Sequence, residues 1–489
     1  MNLTELLNGV NAIQVAGNLR NEEIAGIEYD SRKVTKNSVF VAIKGFNIDG
    51  HKFIPDALNK GAIAIVLDND SNTPAELFQH SEATKILVHD SRKSLAEISD
   101  YFFGHPSGKL NLIGITGTNG KTTTSYFIKN IVEACGYKTG LLGTISNYIG
   151  DKIIESKLTT PEASDLNAML LQMFNEGCKY AVMEVSSHSL ALERVRNLYY
   201  HSAIFTNITA EHLDFHHDFQ SYLEAKKILF DNMNEDSFVI YNSDDKNSTV
   251  IIRDCRAKKY GYGKQTATDF TIKNLEYDLS GTSFAISYGK KKYEVKTSLI
   301  GEFNAYNACA SFAVCKLNGF DDDKIISGIA GTPQIPGRFE VINEGDKSVI
   351  IDYSHTPDSL EKALTVVNKL NKKDFRVISV FGCGGNRDKL KRPEMGRIAS
   401  EFSDETILTS DNPRDEDPYE IIENIKSGIT KKNFKVIENR EEAIKEAVEK
   451  SNDNTIILIA GKGHENYQEI KGKRSHFSDR EVAEKFLHN

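Results

Sequence analysis

The chain has 489 residues, 26% charged and 39% hydrophobic, with a net charge of −9. That length suggests about three domains with ample core, and the acidic balance argues against a dedicated nucleic-acid binder. No apolar run approaches the roughly 20 residues of a membrane span, the N-terminal segment lacks signal-peptide regions, and the six scattered cysteines form neither a zinc pattern nor a disulfide framework, so a cytoplasmic location is expected.

In chain order, residues 1–105 carry short β-like runs, among them SVFVAIKG and AIAIVL, and one helical stretch around Ile54–Lys60. They read as a small mixed α/β domain that ends in a linker at FGHPSGK. Residues 106–333 open on the apolar run Leu110–Ile113, then ITGTNGKTTT, then Phe127, Ile128, Ile131, Val132 and Cys135 at helical spacing before Gly136. A glycine-rich turn thus joins a strand to a helix N-terminus, where backbone N–H groups and the helix dipole favour anions. Gly117, Thr118, Asn119, Gly120, Lys121, Thr122 and Thr123 are the expected triphosphate cradle, with Lys121 supplying charge and Thr122 a hydroxyl for magnesium. Gly114 stands one residue earlier than the usual pattern places its first glycine. Strands and helices then alternate, interrupted by a β-rich excursion over Asp269–Ile300. In residues 334–489, SVIIDYSH, FRVISVFG, ETILTSDN and TIILIAGKG are strand-like and separated by helical segments, which predicts a parallel, doubly wound sheet. The expected fold class is α/β in three domains: a small mixed N-terminal domain, a central P-loop-type ATPase domain with a mostly parallel sheet, and a Rossmann-like C-terminal domain.

Ligands bind beyond the carboxyl ends of strands in such sheets. The polar motifs fall there: Glu184, Ser186, Ser187 and His188; Asn207, His212 and Asp214; Asp352–His355; GCGGNRD, SDNPR and GKGHE. So many on two sheets point to a cleft between two domains. In DFQSYLEAKKILF, Tyr222, Leu223, Leu229 and Phe230 share one helical arc with Lys226 at its centre. A snorkelling lysine is the reading this helix alone favours; the other is a functional lysine facing the phosphate site. GCGGNRD does not have dinucleotide-loop spacing, and Cys383 within it is expected to pack. His216 and His217 are expected to be solvent-exposed loop residues rather than zinc ligands with His212. KSGITKKNFK and NREEAIKEAVEK are expected to be solvated helix faces.

The set GTNGKTT, MEVSSH, NITAEHLDFH, YLEAKKILF, GEFNAYNACAS, PGRFE and DYSHTP resembles the Mur ligase family, and the likeness runs from DSRKV to GKGHENYQ. It implies an ATP-dependent amide-forming ligase of peptidoglycan precursor synthesis. DSR, TTP, GGNRDKLKRP, DNPRDE and GKGHE are most similar to members that add the third amino acid. That implies joining meso-diaminopimelate to the D-glutamate side-chain carboxylate of UDP-MurNAc-L-Ala-D-Glu through an acyl phosphate, with ATP and Mg2+. By the same resemblance Lys121, Glu184, His212 and Lys226 are catalytic, and Thr122, Glu184, His212 and a carbamylated Lys226 serve magnesium. Asn304, Arg338 and Asp352 contact the nucleotide. Ser31, Thr159, Thr160, Ser186 and Arg194 meet the UDP-MurNAc-dipeptide, although Leu192 stands where relatives often carry glutamine. Arg387, Asp411, Asn412, Pro413, Arg414, Gly461 and Glu465 hold diaminopimelate, the arginines reading its distal carboxylate bidentately. The expected partners are small molecules only, with no nucleic acid and no membrane, and the protein is expected to be a monomer. The alternatives are the same ligase adding L-lysine, a folate polyglutamate-type ligase, and a P-loop switch protein. A folate-type ligase leaves the N-terminal block and the DNPR loop without a role. A switch protein leaves the strand-end motifs after residue 350 unexplained.

Overall fold

The strand Asn111–Thr116 is buried along almost its whole length, as a parallel strand covered on both faces must be. Successive residues serve opposite cores: Ile113 and Ile115 pack with Phe127, Ile131 and Phe312, while Leu112 packs with Met173, Tyr222 and Phe230. It lies at the centre of a sheet of eleven described strands, between Tyr180–Glu184 and Ser202–Phe205, both parallel to it. The expected β-rich excursion is an antiparallel meander, Phe270–Asp278, Gly281–Tyr288 and Lys291–Thr297, that extends one edge of this sheet. The computed structural model describes residues 1–488 apart from 46, 47, 72, 74, 346, 371–374, 452 and 453.

The C-terminal sheet runs in the order Glu340–Glu344, Lys347–Asp352, Thr455–Ala460, Arg376–Phe381, Glu405–Leu408, Phe434–Val436, parallel except for its first strand. Helices pack on both faces. The expected α/β class with mostly parallel sheets therefore holds. No helix among the described residues is long and apolar enough to cross a membrane.

The N-terminal sheet contains the expected runs as Val39–Val41 and Ala64–Leu67, with the expected helix at Ile54–Asn59. It also holds a longer helix, Ser91–Phe102, not anticipated there. Asp90 caps it by accepting from Arg92 N and Lys93 N. Its buried face includes Ser91, Ser94, Ser99 and Asp100 beside Leu95 and Ile98, which blurs the apolar period. The expected linker is a fixed joint: Pro106 and Ser107 are buried, and Ser107 Oγ accepts from Tyr199 N at 3.0 Å.

Of the two segments expected as solvated helix faces, one is not a helix face and the other is one except at its first helical residue. KSGITKKNFK crosses from the end of the helix Pro418–Lys426 through a loop into the strand Phe434–Val436. The other opens the helix Arg440–Glu449, and Arg440 is wholly buried. At the first helical position its side chain lies across the strand ends instead of into solvent. Its guanidinium meets both Asp479 oxygens at 2.7 Å and donates to Ala460 O at 3.0 Å and Ser410 O at 3.4 Å. Asp479→Ala leaves that charge buried without a partner, so it should lower the unfolding free energy by about 3–5 kcal/mol, measured by denaturant unfolding.

Candidate active site

The chain leaves Asn111–Thr116 through Gly117 at φ 150° and Gly120 at φ 91° and enters the helix Lys121–Ala134. A Cβ on Gly117 would lie 1.9 Å from Thr206 Oγ1, and one on Gly120 2.5 Å from Asn307 Oδ1. Only glycine fits such close approach. Asn207 pins the turn: its carbonyl accepts from Thr118 N at 2.8 Å, its Oδ1 accepts from Asn119 N at 3.0 Å, and its Nδ2 donates to Asn119 O at 3.0 Å. With glycine at the N-cap, no side chain caps the helix, and its first N–H groups remain an anion site.

Two ammonium groups converge on this turn. Lys121 Nζ donates to Gly117 O and Thr118 O, both at 2.8 Å, and Lys226 Nζ donates to the same Gly117 O at 2.8 Å. Lys226 is only 1% exposed and lies 4.6 Å from the Tyr222 ring centroid, so it does not snorkel. Burial, together with the like charge of Lys121, pushes its pKa well below the ordinary lysine value, against the pull of Glu211. Burial also lowers that of Lys121. Across the turn Glu184 is fully buried and accepts from Thr122 Oγ1 at 3.0 Å, Thr144 N at 2.9 Å and Thr144 Oγ1 at 2.8 Å. His212 begins a short helix in left-handed conformation, and burial pushes its imidazole down to about 4.

Lys121, Glu184 and His212 face a cavity of about 840 Å³ between the central and C-terminal sheets. Thr118 through Thr123, Thr159, Glu184, Ser186, His212, Arg338 and Asp352 all line it. Arg338 Nη2 approaches Thr122 Oγ1 at 3.4 Å, and its guanidinium stacks 4.6 Å from the Tyr353 ring centroid. Burial raises the Asp352 carboxyl above its ordinary value, although it accepts from Phe339 N and Ser354 N. Gly117 and Lys226 lie behind the wall. Asn304 does not reach it either: it is buried, donates from Nδ2 to Ile300 O, and accepts from Asn307, which does line the cavity.

The dipeptide-binding candidates divide. Thr159 meets Thr144 at 3.1 Å and Ser186 lies on the wall, while Thr160 is spent on Glu184 O at 2.8 Å and Ser186 N at 3.1 Å. Arg194 pairs with Glu162 at 2.8 Å, outside the cavity. Ser31 is buried in the N-terminal domain, its carbonyl accepting from Lys60 Nζ, and is not on this wall.

The remaining residues form a second group at the C-terminal strand ends. Asp411 and Asn412 are buried, and Asn412 Nδ2 donates to Glu465 Oε2 at 2.8 Å. Pro413 and Arg414 follow, and Arg414 at φ 53° donates from Nη1 to Gly385 O at 2.7 Å. Arg387 is exposed on the facing loop. Gly461 sits at φ 115°, where a Cβ would lie 2.8 Å from Asp411 Oδ2. Cys383 packs against Met395, and burial pushes its thiol up to about 12.

Several residues were missed. Glu211 pairs with His355 Nε2 at 3.1 Å across the two domains and lies 3.7 Å from His212. Burial would raise its carboxyl, but His355, His212 and Lys121 outweigh that and hold it far below the carboxylate range. Asp358 accepts from Asn119 Nδ2 at 3.0 Å, a second bond between domains. Lys462, wholly buried, lies within 3.6 Å of Asn412, Glu465 and Asp411. The acidic neighbour of His212 and the lysine inside GKGHE were the available signals. His216 is buried rather than solvent-exposed: the short helix Leu213–His216 turns it onto Ser187 Oγ, at 3.0 Å, and the Tyr222 ring. Among the described residues no group of three or more His, Cys, Asp or Glu side chains forms a metal cage.

A phosphate-binding turn facing a second domain with its own cluster of charged strand-end residues suits an enzyme that activates one substrate with a nucleoside triphosphate and delivers another to it. The chain belongs to the Mur ligase family: the family's middle domain matches residues 115–315, its glutamate ligase domain 337–463 and its catalytic domain 23–103. It is accordingly an ATP-dependent amide-forming ligase. It is 44% identical, over 100% of its length and 99% of the relative's, to UDP-N-acetylmuramoyl-L-alanyl-D-glutamate–2,6-diaminopimelate ligase 1 of Clostridium acetobutylicum. A solved UDP-N-acetylmuramoyl-L-alanyl-D-glutamate–2,6-diaminopimelate ligase superposes with a TM-score of 0.70 at 29% identity, covering 100% of this chain and 99% of that one. The fold is also that of the MurF ligase from Thermotoga maritima in complex with ADP, at 19% identity and a TM-score of 0.66, over 95% of this chain and 98% of that one.

Lys121 carries the charge nearest the turn that is also exposed to the cavity. Lys121→Ala should reduce ligation by about a hundredfold or more, measured as substrate-dependent ADP release.

Proposed function

We propose that the protein joins meso-diaminopimelate to the D-glutamate side-chain carboxylate of UDP-N-acetylmuramoyl-L-alanyl-D-glutamate, consuming ATP, as a cytoplasmic step of peptidoglycan synthesis. The supporting observation is the mixed charge clustered at the C-terminal strand ends. Arg414 and Glu465 are built on one framework through Asn412, with Arg387 opposite. A diamino diacid offers a carboxylate to the guanidinium fork and an ammonium to the acid.

The glutamate carboxylate attacks the γ-phosphorus, giving an acyl phosphate and ADP. The incoming amine then attacks the acyl carbon, and phosphate leaves. The protein's work is positioning and charge stabilisation. The first-turn N–H groups and Lys121 hold phosphate oxygens, Arg338 comes in from the C-terminal domain, and Thr159 and Ser186 border the path toward the N-terminal domain and Ser31. The donor set fits magnesium: the Thr122 hydroxyl, the Glu184 carboxylate and a neutral His212 are hard or borderline ligands beside a phosphate site. When bound, the ion neutralises phosphate charge.

Lys226 completes the set. Its lowered pKa makes more accessible the unprotonated amine, the form that adds to carbon dioxide with formation of an N–C bond and loss of a proton. The resulting carbamate places a negative charge where two ammonium groups now share one carbonyl. Lys226→Ala should be nearly inactive and recover in part when acetate is added, measured as ADP release.

The substrate assignment is tested by phosphate release with the muramoyl dipeptide and either meso-diaminopimelate or L-lysine. Preference for lysine at equal concentration would overturn it and leave the ligase assignment standing. Arg414→Ala should raise the KM for diaminopimelate while lysine use stays low, because a site built around a charge pair rejects a ligand lacking the partner.

A further inference from the structure

Arg392 is wholly buried on the helix Lys391–Phe402, beneath the loops that carry Arg387 and Arg414. Its guanidinium meets both oxygens of Glu416 at 3.0 Å and donates to Gly384 O at 3.3 Å and Asn424 Oδ1 at 3.2 Å. Glu416, two residues beyond Arg414, also accepts from Asn386 N at 2.6 Å, and Lys389 Nζ lies 3.1 Å away. Arg392 outweighs burial and, with those donors, holds the Glu416 carboxyl down to about 2, so the tie is charged throughout the physiological range.

Above this tie the two loops form one body. Gly385 N donates to Asn412 O at 2.9 Å, Arg414 Nη1 to Gly385 O at 2.7 Å, and Asn386 Nδ2 to Asp415 Oδ2 at 2.7 Å. A guanidinium reads a carboxylate only while its fork is held to within about half an ångström. Arg414 is aimed through Gly385, and Gly385 sits between the two points, Gly384 O and Asn386 N, that the Arg392–Glu416 pair grips.

We infer that Glu416 and Arg392 are a positioning pair for the far carboxylate of the incoming amino acid, setting the spacing between Arg387 and Arg414 without touching the ligand. The inference rests on the ligase reading above and adds to it the residues that hold the recognition geometry.

The test is steady-state kinetics of E416Q, which keeps shape and removes charge. The KM for meso-diaminopimelate should rise by about ten- to a hundredfold, with kcat and the KM for ATP moving by no more than about twofold. R392K, which keeps the buried charge but loses the fork, is the second variant and should show the same split. An unchanged diaminopimelate KM in both variants overturns the inference. So does an equal change in the KM values for ATP and diaminopimelate, the signature of a merely structural pair. A wild type that meso-diaminopimelate fails to stimulate overturns the substrate assignment and this inference with it. A stimulated wild type beside unaltered variants overturns the positioning role alone.

Discussion

Positive charge gathered at one carbonyl is the constraint on which the rest of the site depends. Gly117 O accepts from both Lys121 and Lys226. Two ammonium groups that close repel each other and are tolerated only beside anions. The structure surrounds them with such charges: Glu184 and Glu211 both act on Lys121, and Glu211 acts on Lys226. A bound triphosphate and a carbamate would bring negative charge to the same place. Thr206 Oγ1 donates to Asn119 O and leaves no room for a side chain at Gly117, so the turn that gives the two lysines a common carbonyl is tightly packed.

Catalysis of this kind needs two substrates held on separate sheets to meet. The phosphate loop touches the C-terminal domain through polar side chains, while Ile300 and Phe303 of the central domain pack into the C-terminal core beside Phe339. Asn119 reaches Asp358, Arg338 reaches Thr122, and Glu211 reaches His355. Polar contacts of this sort are exchangeable for water, unlike the apolar packing around Ile300 and Phe303, so the loop side of the seam is the easier part to open. Asn119 and Thr122 of the glycine-rich turn are among the residues that bridge the domains.

The sequence made the phosphate turn, the parallel sheets and the polar strand ends legible, because each rests on local spacing: a glycine-lysine-threonine run after an apolar strand, or an acidic residue ending one. It also showed Lys226 as anomalous on its helix, though that helix alone favoured a snorkelling side chain. The fold reverses that weighting by packing the helix against the turn. Other features were hidden for a physical reason. His216 and Arg440 carry polar side chains in polar-looking segments, and their burial depends on partners, Ser187 and Asp479, that lie elsewhere in the chain. Asn304 sits one helical turn from Asn307, and only the packing decides which of the two faces the cavity. Ser91–Phe102 escaped because serines share its inner face.

The buried pair between Arg440 and Asp479 has a consequence for biosynthesis. Arg440 braces the carbonyls of Ser410 and Ala460, at the two strand ends next to Asp411, Asn412 and Gly461. Its counter-charge comes from a helix translated after all of them. On the ribosome those strands therefore emerge with an arginine that has no partner in the interior. Those strand ends reach their final shape only once residue 479 has left the exit tunnel, so the C-terminal domain completes its folding in a late step.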